Sequence, residues 1–383
     1  RLLGQLRSVM KKIRYIAVHP LNDFSGSPRV LADFCSSDEI QSQSLTVVTS
    51  ASNGFLYDGL GEMKTIWYGI GSWQLLNILA FIFAQIQLFS VVIGLVLRSR
   101  FRGETVVIIN NTILCFGSIV ASRLMGALTV AYLHELPNGH SVEQRLTRKM
   151  AERVIQSTAQ EVVFVSEFLS SQYPLKNNRR TVIPNGLRSD FGGHKHLDYE
   201  NKFQQKKVLF VGSLRVYKGV DELLKIARQL PDTPFEAVFN CSEKELARFV
   251  AISNVPSNLT LVARNPDIEL KYREAFLVLN LSLPDLCVEA FALTILEGMS
   301  AACPCVVPPV GGHLDYFDEH SGIKVDARDT ETIVQFIKQL QQDETLWRVY
   351  ADRALKISSG YSAQAYQQRV GEFLRAIQAH HFN

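Results

Sequence analysis

The sequence predicts two successive α/β domains, each a doubly wound parallel sheet. Short apolar runs recur along the chain with helical stretches between them, the alternation that parallel sheets produce. The series breaks once, at a polar stretch over 187–206, and then starts again. The 383 residues also exceed one ordinary domain, at a prior of roughly 150 residues per domain.

The elements follow in order. Ile13–Val18 is a buried strand that ends at His19-Pro20. A turn-rich stretch over 22–28 leads into a helix at 29–34, with Pro28 where a first helical turn tolerates it. Strands are expected at 45–49, Thr105–Asn110, Leu128–Leu133, 162–165 and 181–183. The second series has strands at 208–211, Phe235–Phe239, Leu259–Val262, 277–281 and Cys305–Val307, with a helix at 220–230. The domains are therefore set at 1–187 and 188–362, Rossmann-like, and expected to face a central cleft where strand carboxyl ends gather.

Composition excludes several classes. Hydrophobic residues make up 47% and charged residues 20%, enough to fill real cores. A net charge of +3, with acidic and basic residues balanced, argues against a dedicated nucleic-acid binder. The six cysteines are scattered without a CxxC pair, which reads as buried thiols in a reducing compartment. Cys303 and Cys305 alone do not make a zinc site. No secretory signal is recognised, and the segment from Met10, MKKIRYIAVHP, has the look of a bacterial cytoplasmic start. The first nine residues are read as an extension outside the fold.

The stretch 73–97 carries no charge and ends in Arg98, Arg100 and Arg102. Its length would allow a membrane span. It would, however, cut a domain between its strands, and Gln74, Asn77, Gln85 and Gln87 weaken that reading. A helix buried in the first domain and a helix lying on a membrane surface remain. Basic clusters at 11–14, 98–102, 145–149 and 176–180 all fall in the first half. Solvated faces explain such clusters, and so does attraction to anionic lipid.

Two segments carry chemistry. Gly212-Ser213-Leu214-Arg215-Val216-Tyr217-Lys218-Gly219 follows a strand and precedes a helix. Gly212 allows close backbone approach, and the helix start offers N–H groups to an anion. Arg215 and Lys218, three apart, can both serve one diphosphate. The plainer reading is a turn with two surface cations. The second segment runs from Glu289 to Glu297. Glu297 lies in an apolar helix, Leu293–Ser300, where a carboxylate is costly unless bonded. Glu289 precedes that helix, and Phe291, Ala292 and Leu293 would present backbone N–H groups at its start. Such an arrangement suits a polyol joined to a phosphate.

These residues carry a family resemblance. VLFVGSLRVYKGVDELLKIA, VEAFALTILEGMSAACPCVV and Gly311-Gly312 resemble, in order and spacing, the retaining GT-B nucleotide-sugar glycosyltransferases of family 4. That family includes bacterial lipopolysaccharide, capsule and phospholipid mannosyl- and glucosyltransferases. Similarity extends through 25–30, His134-Glu135, 165–167 and 183–186, and so over most of the chain.

The resemblance implies roles. Glu289 would contact the donor sugar, Glu297 the ribose, and Arg215 with Lys218 the diphosphate. Phe291, Ala292 and Leu293 would supply backbone donors to phosphate and sugar. Gly26 belongs to the first-domain glycine loop, His134 lies near the reacting sugar, and Asn185 and Gly186 line the hinge side. A helix at 363–379 would return to the acceptor-binding first domain, which the tail to residue 383 completes. Three positions depart from the pattern. Ala292 stands where the family has Gly, Asn240-Cys241-Ser242 replaces a glycine-rich turn, and Ser27-Pro28-Arg29 replaces a second glycine and an acid. Ser27 and Arg29 are accordingly read as facing an anionic acceptor or a phosphate.

The chain has no DxD motif, the carboxylate pair that holds a metal on the diphosphate in other sugar transferases. The expectation is no metal and no cofactor, with a GDP- or UDP-sugar as substrate. Retention would follow from front-face attack, the departing phosphate oxygen taking the acceptor's proton, with domain closure gating the site. The expected acceptor is lipid-linked or a saccharide. The expected place is the cytoplasm, peripheral to the inner face of the membrane. A nucleotide-sugar epimerase, a phosphorylase and a non-catalytic scaffold are the alternatives, while the lack of GxGxxG after any strand argues against a dinucleotide oxidoreductase.

Overall fold

A computed structural model describes residues 12–69, 74–137, 142–176, 178–191, 197–265 and 267–382. Expectations placed on residues 1–11, Trp73, Asn177 and 192–196 lie outside the described residues, as does the side chain of Arg145. The chain forms two compact units. One holds the described residues as far as Val165, with 169–183 and those from Gln367 onward; the other holds 166–168 and 184–366.

The first unit is built from β1 (Ile13–Val18), α1 (Gly26–Cys35), α2 (Asp38–Gln41), β2 (Ser44–Ser50), β3 (Glu62–Ile66), α3 (Gln74–Phe101), β4 (Thr105–Asn110), α4 (Phe116–Leu124), β5 (Leu128–Leu133), α5 (Val142–Thr158), β6 (Glu161–Phe164), α6 (Glu167–Ser171) and β7 (Arg179–Val182). Its strands are parallel in the order β3-β2-β1-β4-β5-β6-β7. Every residue of β1 and of β5 is buried, which is why these runs read as continuous apolar stretches. Arg14 is the polar member of β1, and Glu104 receives its Nε at 2.9 Å.

The second unit follows with α7 (Tyr199–Gln205), β8 (Val208–Gly212), α8 (Val220–Gln229), β9 (Phe235–Phe239), α9 (Glu243–Ile252), β10 (Leu259–Val262), α10 (Ile268–Glu274), β11 (Leu277–Leu279), α11 (Leu293–Ser300), β12 (Cys305–Val307), β13 (Gly322–Lys324), α12 (Thr330–Gln342), α13 (Glu344–Ser358) and α14 (Ala363–Phe382). The parallel order is β10-β9-β8-β11-β12-β13. The order reverses beside β8, so β8 and β11 are neighbours whose following segments diverge, the position where open α/β sheets bind ligands. Trp347 anchors the core, stacked on Phe276 at 5.2 Å with its indole N–H on the Phe276 carbonyl at 2.9 Å.

From Gln367 onward α14 belongs to the first unit. Gln378 donates to the Tyr15 hydroxyl at 2.9 Å, and His381 Nε2 meets Glu161 at 2.8 Å.

For α3, read either as buried in the first domain or as lying on a membrane surface, the structure buries one face and exposes the other. Ala80, Ala84, Leu88, Val92, Leu95 and Val96 form one buried stripe. Leu76, Leu79, Phe83, Ile86, Leu97 and Phe101 stand on the opposite face and are exposed. A helix crossing from β3 to β4 rests one side on its own sheet and on α4, and among the described residues the other apolar side is exposed.

Candidate active site

In the second unit the site gathers at the carboxyl ends of β8 and β11. β8 delivers Gly212, and a single 3-10 turn over Val216–Lys218 brings the chain back to start α8. That turn aims Lys218 inward, where its ammonium pairs with Glu289 and lies 3.5 Å from Ser282 Oγ. Ser282 follows β11 and donates to the same Glu289 oxygen at 2.7 Å. Burial alone would raise the Glu289 pKa, but the Lys218 charge, with hydrogen bonds from Lys218 and Ser282, holds it below the ordinary value. Burial likewise works against the Lys218 ammonium, and the Glu289 charge outweighs it, so Lys218 titrates above its usual range. Both groups keep their charge at neutral pH. A diphosphate that reaches Lys218 competes with Glu289 for it, and a sugar hydroxyl that reaches Glu289 finds a carboxylate ready to accept.

The segment carrying Glu289 is bolted down from behind. Gly312 N–H donates to the Glu289 carbonyl at 2.8 Å, and Glu289 forms an isolated bridge with Gly311. Gly311 has φ 145°, a left-handed value that favours glycine, and a Cβ there would lie 2.8 Å from both the Glu289 carbonyl and the His313 ring. His313 is fully buried, with Nε2 2.9 Å from the Pro308 carbonyl. A carbonyl can only accept, so Nε2 carries the proton and Nδ1 has none. Burial holds the His313 pKa below its usual value.

Ala292 caps α11 in the left-handed region, φ 63° and ψ 70°. This is the conformation for which glycine is usual, so an alanine here is strained. The Tyr316 hydroxyl lies 2.9 Å from the carbonyls of both Phe291 and Ala292 and fixes this turn. Ala292→Gly is expected to stay within about 1 kcal/mol of the wild type, since relief of strain offsets the looser unfolded chain. Ala292→Val should lose about 2 kcal/mol or more, because a β-branched residue tolerates a positive φ poorly; chemical denaturation measures both.

Leu293 opens α11, so the first amides of this helix have no acceptor within it. One turn on, Glu297 is 9% exposed and receives the Tyr272 hydroxyl at 3.0 Å. This contact supplies the partner that a carboxylate in an apolar helix requires. Arg215 is exposed and lines a cavity of about 310 Å³ together with Ser213, Asn240, Cys241 and Arg248. The replaced glycine turn thus forms one wall of that cavity: Asn240 accepts from Arg264, and Ser242 with Glu245 closes a capping box at α9. Asn185 is buried in this unit, and Gly186 packs against Tyr366 so closely that a Cβ would lie 2.5 Å from it.

In the first unit the predicted residues also meet at strand carboxyl ends. Gly26 is exposed and opens α1, with Ser27 beside it. Asn111, just past β4, is the hub. Its amide nitrogen donates to the Ser27 carbonyl at 2.9 Å, which fixes the amide's orientation. Its Oδ1 therefore accepts, and His134 Nε2 donates to it at 2.8 Å. Burial, with His19 nearby, lowers the His134 pKa to about 3, so the ring is neutral with its lone pair on Nδ1. His19, lowered to about 4 mainly by burial, lies 3.0 Å from the Asn111 carbonyl. Glu135 holds the turn after β4, accepting from Thr112 Oγ1 at 2.6 Å. It braces that loop, and its other carboxylate oxygen receives the His134 backbone N–H at 3.4 Å. Arg29 is buried, with Nε 3.6 Å from Asp33 one helical turn away.

Sequence reasoning missed Ser282, Tyr272, His313, Tyr316 and Asn111. The Asn110-Asn111 pair closing an apolar strand was a legible signal of a polar strand end. Tyr272 and Tyr316 gave none, since each meets its partner about two dozen residues away, and the shorter contacts of Ser282 and His313 depend on how loops fold back rather than on any periodicity.

With this geometry in place, comparison with known proteins is informative. Residues 196–356 match the family described as Glycosyl transferases group 1. An uncharacterized glycosyltransferase of Haemophilus influenzae is 21% identical over 272 residues, covering 68% of this chain and 73% of that protein. The processive diacylglycerol alpha-glucosyltransferase of Acholeplasma laidlawii is 26% identical over 184 residues, 46% of this chain and 54% of that one. Among solved structures, Anabaena HepE in complex with UDP-glucose superposes with a TM-score of 0.75 at 17% identity, covering 95% of this chain and 100% of that chain. The fold is GT-B, and the chain is a glycosyltransferase.

Proposed function

We propose that the chain is a retaining hexosyltransferase of family 4 that moves a sugar from a UDP-sugar to a lipid-linked saccharide. The pair formed by Lys218 and Glu289, with Ser282 on the same carboxylate oxygen, carries this reading. It sets a cation for a diphosphate beside a carboxylate for sugar hydroxyls, which is the charge pattern of a nucleotide sugar. Lys218 and Arg215 neutralise the departing diphosphate, in the role a metal plays in other sugar transferases. Glu289 orients the sugar, and Glu297 takes the ribose hydroxyls in place of part of its present bonding. The amides at the start of α11 add a positive helix end toward the phosphate. His134 is neutral and offers Nδ1 to a hydroxyl of the transferred sugar. No side chain is assigned as the base: the departing phosphate oxygen takes the acceptor's proton as the new glycosidic bond forms on the face being vacated. UDP is favoured over GDP because HepE is solved with UDP-glucose and the two share a fold. The acceptor class rests on the exposed apolar face of α3 and on the diacylglycerol named for the Acholeplasma relative.

Thermal stabilisation against a panel of nucleoside diphosphates and nucleotide sugars, with chelator present, tests the donor site. UDP at a hundredfold excess over its Kd should stabilise by about 2.7 kcal/mol. Lys218→Ala should remove that response. A selective response to GDP would change the donor base, and none with any nucleotide would defeat the transferase site assigned here. Proton NMR of the product then reads the anomeric configuration directly.

A further inference from the structure

The exposed apolar positions on α3 fall in two stretches, 76–86 and 97–101, with the exposed Ser90 and Gly94 between them. Leu76, Leu79, Phe83, Ile86, Leu97 and Phe101 recur at spacings of three, four or their sums, so they share one face, and each is 43% or more exposed. Twenty-eight residues make a helix of about 42 Å. Trp67, itself exposed, packs against Phe83 at 6.0 Å and extends the apolar face toward β3.

Two contacts fix the helix's height against the sheet. Gln87 binds the backbone of Trp67, just past the carboxyl end of β3, and Gln85 binds Gly117 N–H in the first turn of α4, the helix that follows β4. The turns before Gln85 therefore project beyond the carboxyl edge of the sheet by about 16 Å. That is the edge where Ser27, Asn111 and His134 meet.

The charge around this face is mostly positive, although Glu62 at the start of β3 pairs with Lys64 at 3.1 Å and with Arg98 at 3.7 Å. Between Met63 and His134 the sequence holds Lys64, Arg98, Arg100, Arg102 and Arg123 against a single acid, Glu104. Glu104 is buried and bound by Arg14, and Lys64 is half-buried, whereas the four arginines are exposed. A second protein copy would bring the same cations against one another. An anionic lipid surface is matched in both respects, taking the aliphatic stripe among acyl chains and the arginines at head-group phosphates.

We infer that α3 is an in-plane membrane-docking helix selective for anionic lipid, and that it sets the carboxyl edge of the first unit at the bilayer surface. The helix does not span, because its buried stripe is committed to its own unit. This deepens the lipid-linked acceptor proposed above and rests on it for its purpose: docking brings a head-group saccharide to the edge that holds His134.

Flotation of the full chain with vesicles tests the inference. The probes are phosphatidylcholine vesicles and vesicles of phosphatidylcholine mixed with phosphatidylglycerol. Recovery with the anionic vesicles should exceed that with neutral ones by about tenfold or more, given several cations near the surface. The double variant Leu79→Asp, Ile86→Asp alters two exposed positions and should abolish flotation with its melting temperature unchanged. Arg102→Gln should weaken flotation without touching the stripe. Absent flotation, or flotation indifferent to lipid charge, overturns the inference. A dimer in lipid-free sedimentation that the double variant dissolves places a second copy on the stripe and overturns it as well. The UDP response of the same samples reports the donor site separately, so failure of docking and failure of the transferase reading are distinguishable.

Discussion

Glu289→Gln is expected to lower kcat/KM by about two to three orders of magnitude, mostly through kcat. The change keeps the shape of the side chain and removes its charge. Ser282 can still donate to the amide oxygen, but Lys218 loses the carboxylate that now holds it. In the proposed reaction positive charge grows on the sugar as the bond to phosphate lengthens, and a carboxylate nearby is worth most at that moment. Donor binding should suffer less, because Lys218 is then freer to meet the diphosphate. Stability should fall by about 1–2 kcal/mol, since the pair is mostly buried yet open enough to water for the Lys218 ammonium to be partly solvated. Steady-state turnover of a UDP-sugar together with UDP titration separates the two effects. Activity within about tenfold of the wild type would remove Glu289 from the reacting sugar.

Gly312→Ala should be the most disruptive single-methyl change at this site. Its Cβ would stand 1.8 Å from the Ala290 carbonyl oxygen and 2.6 Å from Ser166 Oγ. The first of these is backbone, which no rotamer change relieves, and Ser166 Oγ is itself bonded to that carbonyl at 2.6 Å. Ala290 belongs to the segment that carries Glu289, so the displacement passes directly to the Glu289 carboxylate. A loss of about 3 kcal/mol is expected, or no soluble protein. Gly360→Ala is the control, with nothing within 4 Å of its added methyl, and should change stability by about 0.5 kcal/mol or less. Denaturant melts of both variants, with and without UDP, check the prediction. Retention of the UDP response by a soluble Gly312→Ala protein would show that the 289–292 segment moves independently of its support.

How much of this was legible follows from where each residue's partners lie. β1, β4 and β5 were readable because strands buried on both faces become unbroken apolar runs. β3 was not, because an edge strand with one covered face reads as EMKTI, and only its last residue is fully buried. β13 is three residues long and offered no pattern. The apolar character of α3 was plain from composition, but its exposed side was not. Hydrophobic residues all round a helix carry no moment that marks a face, and here packing on α4 chose which stripe to cover.

The sequence by itself determined the two sheets, the break between them and the motif positions of Lys218, Glu289 and Glu297, because these depend on local periodicity and on residue type. The tertiary structure alone decided that Lys218 meets Glu289 across 71 residues, that Ser282 joins them, and that Asn111 ties Ser27 to His134. Those contacts depend on strand order. β11 lies beside β8 only after the intervening β9 and β10 have been placed on the other side, and β4 lies beside β1 only after β2 and β3 have been placed likewise. Strand order is a global packing outcome, and no window of neighbouring residues contains it.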